Sequence, residues 1–352
     1  MIICPNCGGP DCIRPAEDVL DSIYRMYMAC PGCPPEPGWD KQVPLAALLH
    51  GDTVDENTLL CSSCKRRALD GVMGHVLAVM LKHGDREDGA GLALVGTPLI
   101  SCGFPIMYPP RLGQGDLVLI ADNVHPDTAK DIVDRVPEVR GVVLRVGDQA
   151  QSVGILDPDS RPHEYTLLAG CDMRCDVAQT ALGELVIYKS QSRIHIEFPR
   201  ESGHKMDVLG KLDMEGLLAG RVVVDGMCGP GTLGLMAVLM GANKVILNDA
   251  WRPAIENVLL NLEVNRELLD VEVERLIPTG DIPLIGDETV LVAKAIRGSN
   301  TIAEVYFGDI RRLAGVVDDC DVCLIDTFPT ADPSEYVKIW NDKVSCGKVI
   351  VI

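Results

Sequence analysis

What the chain lacks narrows its class. In its 352 residues no apolar run approaches the ~18 of a membrane span, so none is expected. The opening MIICPNCGG lacks both a basic n-region and an apolar h-region, which argues against a signal peptide and predicts a cytoplasmic protein. Aromatics are scarce at 4% against 47% apolar residues, so the cores must be aliphatic. Positive charge is also short. With 32 Lys and Arg against 51 Asp and Glu, the net charge of −19 disfavours broad attachment to nucleic acid, where Lys and Arg must neutralise phosphates. Lys65-Arg66-Arg67 and the segment Lys189–Lys205 remain as local basic patches, or as ordinary solvated surface.

Cysteine is plentiful. Seven of 14 fall in the first 64 residues, and six of these form three C-x-x-C pairs: Cys4/Cys7, Cys30/Cys33 and Cys61/Cys64. In a reducing compartment this spacing points to tetrahedral thiolate zinc rather than to disulfides, with an iron–sulfur cluster as the lesser alternative. Cys4/Cys7 with Cys30/Cys33 is the first pairing expected. The third pair would replace one of these, or join Cys12 or His50 at a second site. The module spans 1–85, with a ribbon-like strand at Ile23–Met28 and a helix at Arg67–His83 in which His75 reads as a core or boundary histidine rather than a ligand. Gly84–Gly91 reads as a linker.

Residues 92–200 read as a small α/β domain. Strands are expected near Asp116–Ile120, Gly141–Arg145, Glu164–Ala169, Cys175–Gln179, Glu184–Lys189 and His195–Phe198, with an amphipathic helix at Pro126–Arg135. Cys171 and Cys175 read as core or turn thiols. Residues 205–352 alternate strand and helix, which predicts a Rossmann-like, doubly wound parallel sheet with ligands at the carboxyl ends of its strands. Cys320-Asp-Val-Cys323 lies in one of these strands, and its two thiols are expected to serve the core.

The first strand of that sheet runs into VVVDGMCGPGTLG, which satisfies both the dinucleotide pattern G-x-G-x-x-G and an S-adenosylmethionine (SAM) loop. In a dinucleotide site the first glycine follows the strand almost at once. Here Gly226-Met-Cys228 intervene, which favours SAM. Gly229 and Gly231 let the backbone approach the ligand, and Asp225 is placed to receive its ammonium. Asp249 ends the next strand, about 20 residues on, where a carboxylate meets ribose hydroxyls. Asp309 follows the third strand, where adenine is expected.

Residues 111–352 resemble the archaeal and eukaryotic tRNA guanine-N1 methyltransferases, through HPDTAKDIVDRVPEVRGVV, HEYTLLAGCDMRCDVAQ, VVVDGMCGPGTLGLMA and NDAWRPAIENVLLNLEVN. The resemblance implies a class I methyltransferase fold with SAM held by Asp225, Gly229, Gly231, Asp249 and Asp309. The acceptor side departs from the family. Arg193 and Arg200 do not match its catalytic arginine, and Asp326-Thr-Phe-Pro329 stands where it has an Asn-Pro-Pro type of turn. Asp326 is the candidate base, and Phe328 either stacks on a planar acceptor or packs beneath the turn. The strands that usually follow the fifth are missing. The expected function is therefore SAM-dependent methyl transfer to a protein side chain or small metabolite. The alternatives are methylation of tRNA guanine, or a non-catalytic SAM-binding zinc scaffold. Calorimetry should show binding of SAM or its demethylated product; binding of NAD with neither of these would overturn the SAM assignment.

Overall fold

The computed structural model describes residues 2–50, 53–147, 151–196 and 199–352, leaving aside the side chains of residues 199–202. The N-terminal segment places helix α1 (Ala16–Met26) where Ile23–Met28 was expected to be a strand. Alternation there is local. Ala16, Val19, Ile23 and Tyr27 are all buried, and their spacing is that of one helical face. Acidic Glu17 and Asp18 in the first turn and Arg25 in the last suit the helix dipole. Helix α2 (Leu69–His83) follows, ending at Gly84 with a left-handed φ of +79°. His75 is buried beside the Arg67 guanidinium. Arg67 is itself fully buried, with its Nε donating to Glu138 at 2.7 Å, so Lys65-Arg66-Arg67 is not a continuous basic surface.

Next come strands β1 (Thr97–Ile100), β2 (Cys102–Gly103) and β3 (Leu117–Ala121), helix α3 (Pro126–Arg135), and β4 (Val139–Leu144), β5 (Thr166–Gly170), β6 (Met173–Thr180) and β7 (Gly183–Ser190). They form a four-stranded sheet in the order β1-β3-β4-β5 and a three-stranded sheet in the order β2-β6-β7. One hydrophobic cluster joins this unit to the N-terminal segment, with Val19, Ile23 and Leu77 packing among Leu119, Ile132 and Tyr188. His195 and Ile196 are irregular, and the rest of the strand expected there lies outside the described residues.

Helix α4 (Pro199–Met214) leads into the larger sheet. Its elements are β8 (Val222–Asp225), α5 (Thr232–Leu239), β9 (Lys244–Asp249), α6 (Arg252–Val264), β10 (Glu272–Arg275), β11 (Val290–Arg297), β12 (Asn300–Phe307), β13 (Asp319–Ile325), α7 (Ser334–Lys343) and β14 (Ser345–Val351). The strand order is β10-β11-β12-β9-β8-β13-β14. The five strands β12, β9, β8, β13 and β14 are mutually parallel, the Rossmann-like arrangement expected. Among the described residues the sheet stops at β14, and the antiparallel pair β10–β11 is added at the opposite edge, beside β12. Cys320 and Cys323 are core thiols of β13.

Strand β7 is an edge strand, and α6 covers that edge. Asn257, Asn261 and Asn265 follow one another at intervals of four along the helix and its cap. Their Oδ1 atoms accept the backbone N–H groups of Ser190 (3.1 Å), Tyr188 (2.7 Å) and Val186 (2.9 Å). Asn261 and Asn265 return the bond from Nδ2 to the carbonyls of Tyr188 and Val186, at 3.0 and 2.7 Å. The periods agree: four helical residues rise about 6 Å and two strand residues about 6.8 Å. Asn261→Ala would orphan a buried N–H and a buried carbonyl, at a cost of about 3 kcal/mol. Denaturant unfolding should show this loss with an unchanged m-value; a loss below about 1 kcal/mol would remove the ladder from the forces that hold the two sheets together.

Candidate active site

Strands β8, β9, β12 and β13 deliver Asp225, Asp249, Asp309 and Asp326 to one end of the parallel sheet, each at or just past a carboxyl terminus. A cavity of 360 Å³ opens there, within the usual range for small-molecule sites. Its wall includes Gly226, Gly229, Asp249, Asp309, Asp326 and Phe328.

The glycines of the turn have different reasons to be there. Gly229 has φ +52°, and a Cβ on it would meet nothing within 4 Å, so this bend faces open space. Gly231, at φ +89°, starts α5. A Cβ on Gly226 would lie 2.4 Å from Ile310, and one on Gly234 would lie 2.5 Å from Leu247. Gly234 is thus demanded by the close packing of α5 on β9, and its fit to the dinucleotide pattern has that cause.

Asp225 is fully buried behind the turn. Its Oδ2 accepts the Gly234 N–H at 2.8 Å, while Oδ1 has no hydrogen-bond partner among the described residues. Asp249 is held by two backbone donors, Gly229 N to Oδ2 and Trp251 N to Oδ1, both at 2.8 Å. Those bonds leave lone pairs for hydroxyls in the cavity. Asn248, the neighbour of Asp249 in β9, donates to the carbonyls of Gly226 (3.0 Å) and Gly308 (2.9 Å) and so binds three strand ends together. Asp309 caps the short helix Ile310–Leu313 through the Arg311 N–H at 2.8 Å, and its Oδ2 accepts Arg311 Nε at 2.8 Å.

At the other end Asp326 is ion-paired with Lys205 at 2.5 Å. Phe328 is half-buried in the wall, edge-to-face with His195 at 5.5 Å. Arg193 is engaged by Glu164 (3.1 Å) and Glu256 (3.3 Å), and Lys189 is buried near Asp176, so neither side chain adds to an open basic patch. The Arg200 side chain lies outside the described residues. The segment Val153–Pro158 reaches across from the smaller unit. Asp157 Oδ2 accepts the Tyr336 hydroxyl at 2.8 Å and pairs with Arg311 at 3.2 Å, anchoring the segment over the cavity. Asp157 enters the wall with no local signal to mark it, whereas Arg193, His195 and Lys205 come from the segment that reads as a basic patch.

The first module departs from the expected pairing. Cys30, Cys33, Cys61 and Cys64 come together with all four sulfurs within 4.8 Å, while Cys4 and Cys7 join Cys12 and Cys171. Cys171 is therefore more than a turn thiol. Cys175 faces Cys102 instead, with their sulfurs 2.9 Å apart.

No family model and no curated protein matches the chain. Among solved structures it is similar to Trm5b from Pyrococcus abyssi (13% identity, TM-score 0.38, covering 68% of this chain and 57% of that one). It is also similar to the tRNA m1G37 methyltransferase of M. jannaschii (16%, 0.37, 65% and 53%) and to Trm1 from Pyrococcus horikoshii solved with SAM (19%, 0.37, 50% and 41%). The chain thus spans only about half the length of these structures.

Burial pushes the Asp225 carboxyl up to about 7, and the Asp326 charge adds to the rise. Burial likewise pushes Asp249 up to about 6. Both groups bind a proton more tightly folded than unfolded, where a carboxyl titrates near ~4. The folded chain therefore holds extra protons between about pH 4 and 7, and stability falls as pH rises through that window. Unfolding of the ligand-free protein at pH 5, 6, 7 and 8 should show that decline, and Asp225→Asn should flatten it. Parallel curves for the two proteins would sink this origin of the pH dependence.

Proposed function

We propose that the chain is a SAM-dependent methyltransferase whose acceptor is a protein side chain or a small metabolite. One observation carries the reading: Gly226 and Gly229 of the glycine turn, Asp249 and Asp309 past their strands, and the Asp326–Pro329 turn line a single cavity. The residues present suit SAM. Gly229 bends past open space, the Asp249 carboxylate is oriented by two amides, and the crowd of acidic groups suits a cationic ligand. Asp225 supports the turn from behind and favours the ligand's ammonium through its field.

SAM supplies an electrophilic methyl on a sulfonium. The chain contributes alignment of acceptor and donor, worth much of the acceleration in such reactions. Phe328 and His195 offer an aromatic corner for the acceptor. Asp326, oriented by Lys205, takes the proton that an N–H or O–H nucleophile must lose. The overlying Val153–Pro158 segment and the net charge of −19 favour a compact acceptor over a folded tRNA. Cys30, Cys33, Cys61 and Cys64 would hold a structural zinc ion.

The test supplies methyl-labelled SAM with tRNA, with cell protein and with a small-molecule extract in separate reactions. Label is expected in protein or small molecules, and Asp326→Asn should lower its rate about 100-fold or more. Label confined to tRNA would replace this acceptor assignment, and no transfer to any fraction would favour the scaffold alternative. An unchanged rate in Asp326→Asn would remove its role as base.

A further inference from the structure

The turn at Cys4-Pro-Asn-Cys7 repeats the backbone pairing of the turn at Cys61-Ser-Ser-Cys64. In each, the residue after the second cysteine has a left-handed backbone, Gly8 at φ +70° and Lys65 at φ +57°. In each, that residue's N–H returns to the first cysteine's carbonyl, Gly8 to Cys4 at 2.9 Å and Lys65 to Cys61 at 3.0 Å. The first cysteine's own N–H then reaches the carbonyl five residues on, Cys4 to Gly9 at 3.0 Å and Cys61 to Arg66 at 2.9 Å. Each is a complete thiolate knuckle, and each faces a different second pair of sulfurs.

For Cys61/Cys64 that pair is Cys30/Cys33. For Cys4/Cys7 it is Cys12 together with Cys171, which sits in the turn between β5 and β6, 167 residues from Cys4. Sulfur separations are 3.4 Å for Cys7–Cys12 and 3.6 Å for Cys4–Cys171, against 3.5 and 3.6 Å for Cys30–Cys61 and Cys33–Cys64. A tetrahedral ion with sulfur bonds of about 2.3 Å sets its ligands about 3.8 Å apart. An iron–sulfur cubane places its thiolates on four different irons and hence farther apart than 4.8 Å.

We propose that Cys4, Cys7, Cys12 and Cys171 form a second mononuclear zinc centre, one that clamps the N-terminal segment onto the β5–β6 turn. The surrounding bonds already serve that clamp. Asn6, inside the knuckle, donates from Nδ2 to Asp172 at 2.6 Å. Asp172 in turn accepts the Ser192 N–H at 2.6 Å and the Ser190 hydroxyl at 3.0 Å. Those residues lead directly into Arg193 and His195 on the cavity wall. The centre therefore positions one side of the cavity without touching it, and it does not rest on the methyltransferase reading.

The full chain, purified from zinc-replete medium, is expected to carry two zinc ions, with Cys171→Ala and Cys33→Ala each retaining one. Cys171→His, which keeps a tetrahedral donor, should restore two. In the wild type, the exposed Cys7 should resist iodoacetamide until a chelator strips the metal. Should Cys171→Ala fail to accumulate, the wild-type zinc count and Cys7 protection decide alone. One zinc with rapid Cys7 alkylation would overturn the second centre, as would two zinc ions retained in Cys171→Ala, or iron with acid-labile sulfide.

Discussion

The asparagine ladder between α6 and β7 is the interaction on which the arrangement of the molecule depends. An exposed strand edge presents unpaired N–H and carbonyl groups, and burying it unpaired would cost several kcal/mol. Asn257, Asn261 and Asn265 pair that edge with a helix in place of another strand. Asn261 also donates to the Pro230 carbonyl at 2.9 Å, inside the glycine turn. One side chain thus ties together the smaller sheet, the helix behind β9 and the bend that faces the cavity.

The cavity collects charge that the fold must tolerate. Four parallel strands end in or next to an aspartate, and Asp225 is fully buried. Backbone amides answer part of this charge at Asp225, Asp249 and Asp309, and Lys205 and Arg311 answer more. Burial, with the Asp326 charge adding to it, raises the Asp225 and Asp249 carboxyls toward neutrality. A cationic ligand would favour their charged forms and so offset part of that cost.

The N-terminal segment reaches the site through its contacts with the middle unit. The two share a hydrophobic cluster, and the Arg67–Glu138 pair is buried between them. Cys171 and Asp172 lie where the first knuckle meets β6, and the bonds of Asp172 continue to the cavity wall. Cysteines that look like an independent module in the sequence thus stand next to groups that shape one wall of the cavity.

The parallel sheet, the glycine turn and the three C-x-x-C pairs are legible in the sequence, because each is a local pattern with a local cause. Aliphatic strands ending in Asp225 and Asp249, a bend that needs positive φ at Gly229, and paired sulfurs three residues apart all declare themselves within a few positions. The period-four asparagines of α6 are equally visible, yet their role needs the edge of β7 opposite them. The strand expected at Ile23–Met28 fails because its alternation spans six residues, whereas the helical face from Ala16 to Tyr27 has a whole core to bury against. Only the tertiary structure decides which sulfurs meet, that Cys171 joins Cys4, that Asp157 closes over Tyr336 and that Lys205 orients Asp326. Those partners lie tens to hundreds of residues apart, and the distance between them is set by the packing of sheets, which no short stretch of sequence encodes.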